Sequence, residues 1–217
     1  MNKKLPLVAF FMFCLMDVLG IYLEKQMIIY IAKPMLMVTL YWYYRSNKKT
    51  VNNFYVLGLL FSFFGDVFLL GFGTLYFVIG LFFFLIAHVF YISMVFKLLD
   101  KIKWTEVLLS SLLFVTFFFV IIYKLYAGLG DLRIPVIIYA FTISIFGIVS
   151  MVHYLQRKNK TSVILLMGVI FFIISDTILA LNLFHVKQSF YPMSIMITYI
   201  LAQYLICRFV LKLNKIK

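Results

Sequence analysis

Two carboxylates stand inside near-copies of one apolar phrase, Gly58-LLFSFF-Gly65-Asp66-VF-Leu69 and Gly168-VIFFII-Ser175-Asp176-TI-Leu179. Each copy reads glycine, six residues, a small residue, aspartate, two residues, leucine. An ionised carboxylate in hydrocarbon is costly unless it is paired, protonated or retained for chemistry. Two of them in matched settings are the minimum equipment for acid–base work, one giving a proton while the other takes one from water. Lys33 is a basic residue set well inside an apolar run, away from its ends, either a counter-ion or a group for an anionic ligand. Asp17 is its structural alternative, a partner that would make the two a plain ion pair.

The elements that must hold these residues follow from composition. With 65% hydrophobic, 20% aromatic and 12% charged residues and a mean hydropathy of +1.09, the solvent of this chain is mostly lipid. Eight apolar stretches of membrane-spanning length are predicted, at about 5–23, 27–44, 54–72, 75–99, 105–124, 134–154, 161–184 and 190–211. A transmembrane barrel would show short alternating strands, which these runs do not. The expected fold is all-α, a polytopic membrane bundle of eight transmembrane helices, residues 1–217 forming a single integral membrane domain. Its loops are short, as at Gly71–Thr74 and Gln156–Lys160, so neighbouring helices should be antiparallel and adjacent. The opening Asn2-Lys3-Lys4 resembles a signal-peptide start, but no Ala-x-Ala site follows and Asp17 interrupts the core, so the first stretch reads as a retained span.

The net charge of +13 follows membrane topology rather than nucleic acid, which is excluded as a partner. With the N-terminus inside, Lys3, Lys4, Arg45, Lys48, Lys49, Lys97, Lys101, Lys103, Arg157, Lys158, Lys160, Arg208, Lys212, Lys215 and Lys217 fall on the cytoplasmic side. Only Lys25, Lys124, Arg133 and Lys187 fall outside. The asymmetry predicts both termini in the cytoplasm, and a bacterial cytoplasmic membrane as the location. Cys14 and Cys207 lie within the first and last spans and read as packing residues.

A four-plus-four repeat is expected as well. After the aspartate phrases, the next span carries Leu85-Ile-Ala87-His88 in the first half and Ile200-Leu-Ala202-Gln203 in the second. Counted from the predicted outer ends, Asp17, Lys33, Asp66 and Asp176 lie roughly six to eight residues deep, in one layer. His88, Tyr91, Tyr199 and Gln203 approach it from neighbouring spans. Gly58, Ser62 and Gly65 make one small-residue stripe and Gly168, Ser175 and Asn182 another; as packing seams, they would turn the carboxylates into the bundle. His88, His153 and His185 belong to different levels, so no zinc site and no other metal is predicted.

The phrases Ala32-Lys33-Pro34, GLLFSFFGD (58–66), GLFFFLIAHVFY (80–91), Pro135-Val136 with Tyr139, ISDTILALNLF (174–184) and TYILAQYLI (198–206) resemble, in order and spacing, the YhhN family of integral membrane proteins. Asp17 lies outside that pattern, and 140–150 departs from its Met-rich segment. Animal members are lysoplasmalogenases, so the resemblance implies hydrolysis of the vinyl ether of a lysoplasmalogen. A lysophospholipid would be the substrate, membrane lipid the surroundings, and no cofactor is implied. Asp66 and Asp176 would be catalytic, with Asp66 as base and Asp176 as acid. Lys33, Ser62, His88, Tyr91, Tyr139, Ser175, Asn182, Tyr199 and Gln203 would support them or bind substrate. A small-solute or proton-coupled transporter, or a lipid-binding protein, is the alternative, since it would also place Asp, His and Lys at mid-depth.

Overall fold

The computed structural model describes residues 4–48 and 50–213. Lys3, Lys49, Lys215 and Lys217, part of the charge argument, lie outside the described residues, as does Asn2 of the N-terminal reading. The described chain is all helical: α1 (Leu5–Tyr22), α2 (Gln26–Asn47), α3 (Asn53–Phe68), α4 (Thr74–Phe96), α5 (Trp104–Leu125), α6 (Arg133–Arg157), α7 (Lys160–Phe184) and α8 (Tyr191–Lys212). Two short 3₁₀ turns, Tyr126–Gly128 and Gly130–Leu132, join α5 to α6. Among the described residues six helices are long and apolar enough to cross a membrane: α1, α4, α5, α6, α7 and α8. The other two fall short for different reasons. With 16 residues α3 is too short, and α2 carries Lys33, Arg45 and several amides and hydroxyls. The long apolar helices fit an integral membrane protein.

The helices end where local chemistry stops them, which is not always where apolarity stops. Asn52 caps α3 by accepting from the Tyr55 N–H at 3.1 Å. A capping box starts α7, with Asn159 accepting from the Ser162 N–H at 2.8 Å and Ser162 Oγ accepting from the Asn159 N–H at 3.1 Å. Expected to reach residue 72, α3 instead stops at Phe68, because the chain turns at Leu69–Gly71 and Gly73 takes φ +93°. The correction matters: Asp66 stands in the last turn of its helix, two residues from the end, not about six.

The chain divides into two compact units, residues 1–90 with 210–217 and residues 91–209. In the first unit α1 and α2 form an antiparallel hairpin closed by Leu23–Lys25, where Glu24 takes φ 55°. Pro34 withdraws the helical donor of the Tyr30 carbonyl, loosening α2 next to Lys33. Phenylalanines zip α3 to α4: Phe83 meets Phe61, Phe64 and Phe68 at ring separations of 6.0, 5.3 and 5.2 Å. Lipid tails are as apolar as these rings, so the driving force is close packing and ring geometry, about 0.5–1.5 kcal/mol per pair. Within the second unit, α7 and α8 approach closely at Gly168, where an added Cβ would stand 3.1 Å from Leu205. At its surface Arg157 pairs with Asp100 at 2.9 Å, and Gln156 donates to Glu106 at 3.0 Å. Both cysteines are buried, and neither is in a disulfide among the described residues.

Candidate functional site

In the first unit, Asp66 is 1% exposed. Beside it, Gly65 lets the Phe84 ring lie against the α3 backbone, where a Cβ would come within 2.6 Å of that ring. Ser62, one turn before Asp66, is fully buried on the same face. His88, also 0% exposed, points Nδ1 at the Phe84 carbonyl at 2.8 Å. A carbonyl only accepts, so Nδ1 carries the proton and His88 is anchored to its own helix. Phe84 therefore does two things, filling the notch at Gly65 and orienting His88.

Asp17 is buried completely, and neither of its oxygens accepts a hydrogen bond among the described residues. Lys33, half-buried on α2, acts on it by charge without a direct bond. The plain ion pair offered as an alternative is thus not closed.

In the second unit, Tyr139 on α6 donates its hydroxyl to Asp176 Oδ2 on α7 at 2.6 Å. That is a short bond of the kind made to carboxylates. Beside it lies a cavity of about 40 Å³, lined by Tyr139, Asp176 and Thr177 together with apolar side chains such as Phe118, Val136 and Ile173. A water occupies about 30 Å³ in the liquid, so the space suits one water with polar partners at hand. Ser175 Oγ donates to the Ile195 carbonyl at 3.0 Å, tying α7 to α8. This makes Ser175 a structural link from which the next side chain is aimed.

A second polar chain is built from tyrosines and an amide. Tyr91 donates to Gln203 Oε1 at 3.0 Å, and Gln203 Nε2 reaches the Tyr199 hydroxyl at 3.4 Å. Tyr91 and Gln203 are 0% exposed and Tyr199 is 4% exposed, so the chain is a buried network whose members satisfy one another. Aromatic rings brace it, Phe146 stacked on Tyr91 at 6.1 Å and Phe172 edge-on to Tyr199 at 5.5 Å. Asn182 is half-buried near the end of α7. The sequence reading assigned no part to Thr177 or Phe84. Thr177 directly follows Asp176 and could have been flagged by adjacency, whereas nothing in the sequence singles out Phe84 among 26 phenylalanines.

Among the described residues no three His, Cys, Asp or Glu side chains cluster as metal ligands would. The arrangement within each unit can hold a carboxyl group in an apolar setting, and in the second unit it also orients one carboxylate oxygen and provides room for water. Comparison with curated proteins and with solved structures returns no match. The model of the YhhN family matches residues 28–210, from within α2 to within α8, and includes Lys33, Asp66, His88, Tyr91, Tyr139, Asp176 and Gln203 but not Asp17. The chain belongs to the YhhN family.

Proposed function

We propose that this protein is a membrane-embedded hydrolase that cleaves the vinyl ether of a lysoplasmalogen, as the association of its family with lysoplasmalogenase activity suggests. The observation that carries the reading is Asp176, a carboxylate bonded by Tyr139 and facing a water-sized cavity in an apolar helix. The matched family and two acids in apolar helices support it. We infer eight spans with both termini in the cytoplasm, from the loop charges.

Vinyl ethers hydrolyse when a proton is added to the β-carbon, leaving an oxocarbenium ion that water captures. Asp176 serves as the acid and Asp66 as the base. Asp176, whose Oδ2 is held by the Tyr139 hydroxyl, gives the proton on its other oxygen to the β-carbon. Asp66 takes the proton of the attacking water. Water capture yields a hemiacetal, a protonated Asp66 and an ionised Asp176. On collapse Asp176 takes the hemiacetal hydroxyl proton while Asp66 protonates the departing glycerol oxygen. Fatty aldehyde and glycerophospho-alcohol leave, and both acids return to their starting states. Tyr91, Gln203 and Tyr199 hold their helices in register, and His88 supports α4 near Phe84.

The test is aldehyde release from lysoplasmenyl-ethanolamine by the purified protein in detergent. Steady release that disappears in Asp176→Asn supports the proposal; no release by the wild type from any vinyl-ether lysolipid would sink it in favour of transport or lipid binding.

A further inference from the structure

Between α2 and α3 runs a groove of about 270 Å³ lined almost wholly by apolar groups, among them Met37, Val38 and Tyr41 on one side and Leu59, Leu60 and Phe63 on the other. Met37 and Leu59, each 2% exposed, form its floor, while Val38, Tyr41 and Leu60 stand exposed at its rim. The groove thus opens sideways from the helix pair, toward what would be the hydrocarbon of a bilayer.

What lies at its end gives the groove a direction. The Tyr44 and Tyr55 rings meet at 4.7 Å and the Tyr44 hydroxyl accepts from the Asn52 N–H at 2.8 Å, which fixes the antiparallel register of α2 and α3. Lys33 stands eleven residues before Tyr44, and Asp66 eleven residues after Tyr55. Both are therefore ~16 Å along their helices from that aromatic pair, at one level just past the groove. The floor runs into them: Met37 lies one turn from Lys33 on α2, and Leu59 lies two turns from Asp66 on α3. An apolar trough ends in a half-buried ammonium and a buried carboxyl group, the polarity order of a single-chain phospholipid.

We propose that this groove seats the hydrocarbon chain of a single-chain phospholipid, with the Lys33 ammonium taking its phosphate. The volume is just under the ~300 Å³ at which pockets for drug-sized ligands begin, on the scale of one hydrocarbon chain. The charge of Lys33 complements the phosphate, and an ammonium–phosphate contact is of the strong, charge-assisted kind. The placement rests on the hydrolase reading in one respect, that it brings the linkage between chain and glycerol to the level of Asp66.

The test uses the full-length protein in detergent and a lysophosphatidylethanolamine with a photoreactive diazirine at the end of its chain, the adducts being mapped by peptide mass spectrometry. Adducts are expected on α2 and α3 within 37–41 and 56–63. Leu60→Trp, which fills the groove from its exposed rim, should lower them about tenfold, the discrimination that an apolar pocket gives on a steric change. Leu108→Trp, on the exposed face of α5, should leave them unchanged. Lys33→Gln should weaken labelling by the lysolipid but not by a photoreactive fatty alcohol that lacks phosphate. In turnover, Leu60→Trp should raise KM for a long-chain lysoplasmalogen and spare a short-chain one. Adducts spread evenly over the exposed helix faces, or indifferent to Leu60→Trp, would mean ordinary lipid contact and overturn the assignment. Groove-specific labelling without aldehyde release would uphold the groove and reject the hydrolase reading instead.

Discussion

Asp66 sits two residues from the end of the 16-residue α3, with the Phe84 ring pressed over the glycine before it. Asp176 lies eight residues inside the end of the 25-residue α7, with a tyrosine hydroxyl on one oxygen, a serine before it that bonds the next helix, and a cavity beside it. The two phrases are alike in spelling, yet one small residue serves to admit an aromatic ring and the other to make a hydrogen bond. A repeated motif thus sets where a carboxyl group appears on a helix, while neighbours from other helices decide what it can do. That difference is what an acid and a base require of one protein.

The largest expected effect tests whether both settings are used. Asp66→Asn and Asp176→Asn should each lower aldehyde release by about 10²- to 10⁴-fold in a folded protein, the usual contribution of one acid or base. If one variant kept full turnover, that half of the comparison would be structural only. Next in size, Tyr139→Phe deletes the donor to Asp176 without changing the ring. A hydrogen bond to a charged group contributes about 1.5–3 kcal/mol, so turnover should fall about tenfold to a hundredfold with little change in KM. Unchanged turnover would remove Tyr139 from the mechanism.

Two smaller effects concern the residues that precede the acids. Gly65→Ala should destabilise the protein by about 1–3 kcal/mol in detergent unfolding, because its new methyl meets Phe84. Combining it with Phe84→Leu should recover much of the loss, a coupling expected only of residues in contact. Ser175→Ala removes the bond to the Ile195 carbonyl and should cost only ~0.6 kcal/mol, the mean for hydrogen bonds between membrane helices. A larger penalty at Ser175 than at Gly65 would reverse the contrast drawn above.

Hydropathy located all eight helices because each is a long apolar run, but it located apolarity rather than helix ends. It missed the stop of α3 because Leu69 and Leu70 are as apolar as the helix they leave. It cut α2 and α6 short because Arg45, Asn47, Gln156 and Arg157 are polar yet helical. Asp66 and Asp176 were visible as costly groups in the wrong solvent. That Tyr139 would reach Asp176 was not, since a bond across 37 positions depends on how two helices are rotated. The burial of Asp17 without a hydrogen-bond partner was equally hidden, because sequence shows that an acid is in an apolar run and not whether anything answers it.

The early end of α3 reaches beyond helix counting. Sixteen residues rise only ~24 Å, short of the ~30 Å hydrocarbon slab of an average bilayer. A shortfall of this kind is met by local thinning of the membrane or by polar groups reaching inward from its surface. If α3 is one of the eight spans proposed, the greasy barrier is at its shallowest where Asp66 stands, and a lipid would offer its polar end to the carboxyl group while sinking only a little from where it normally floats.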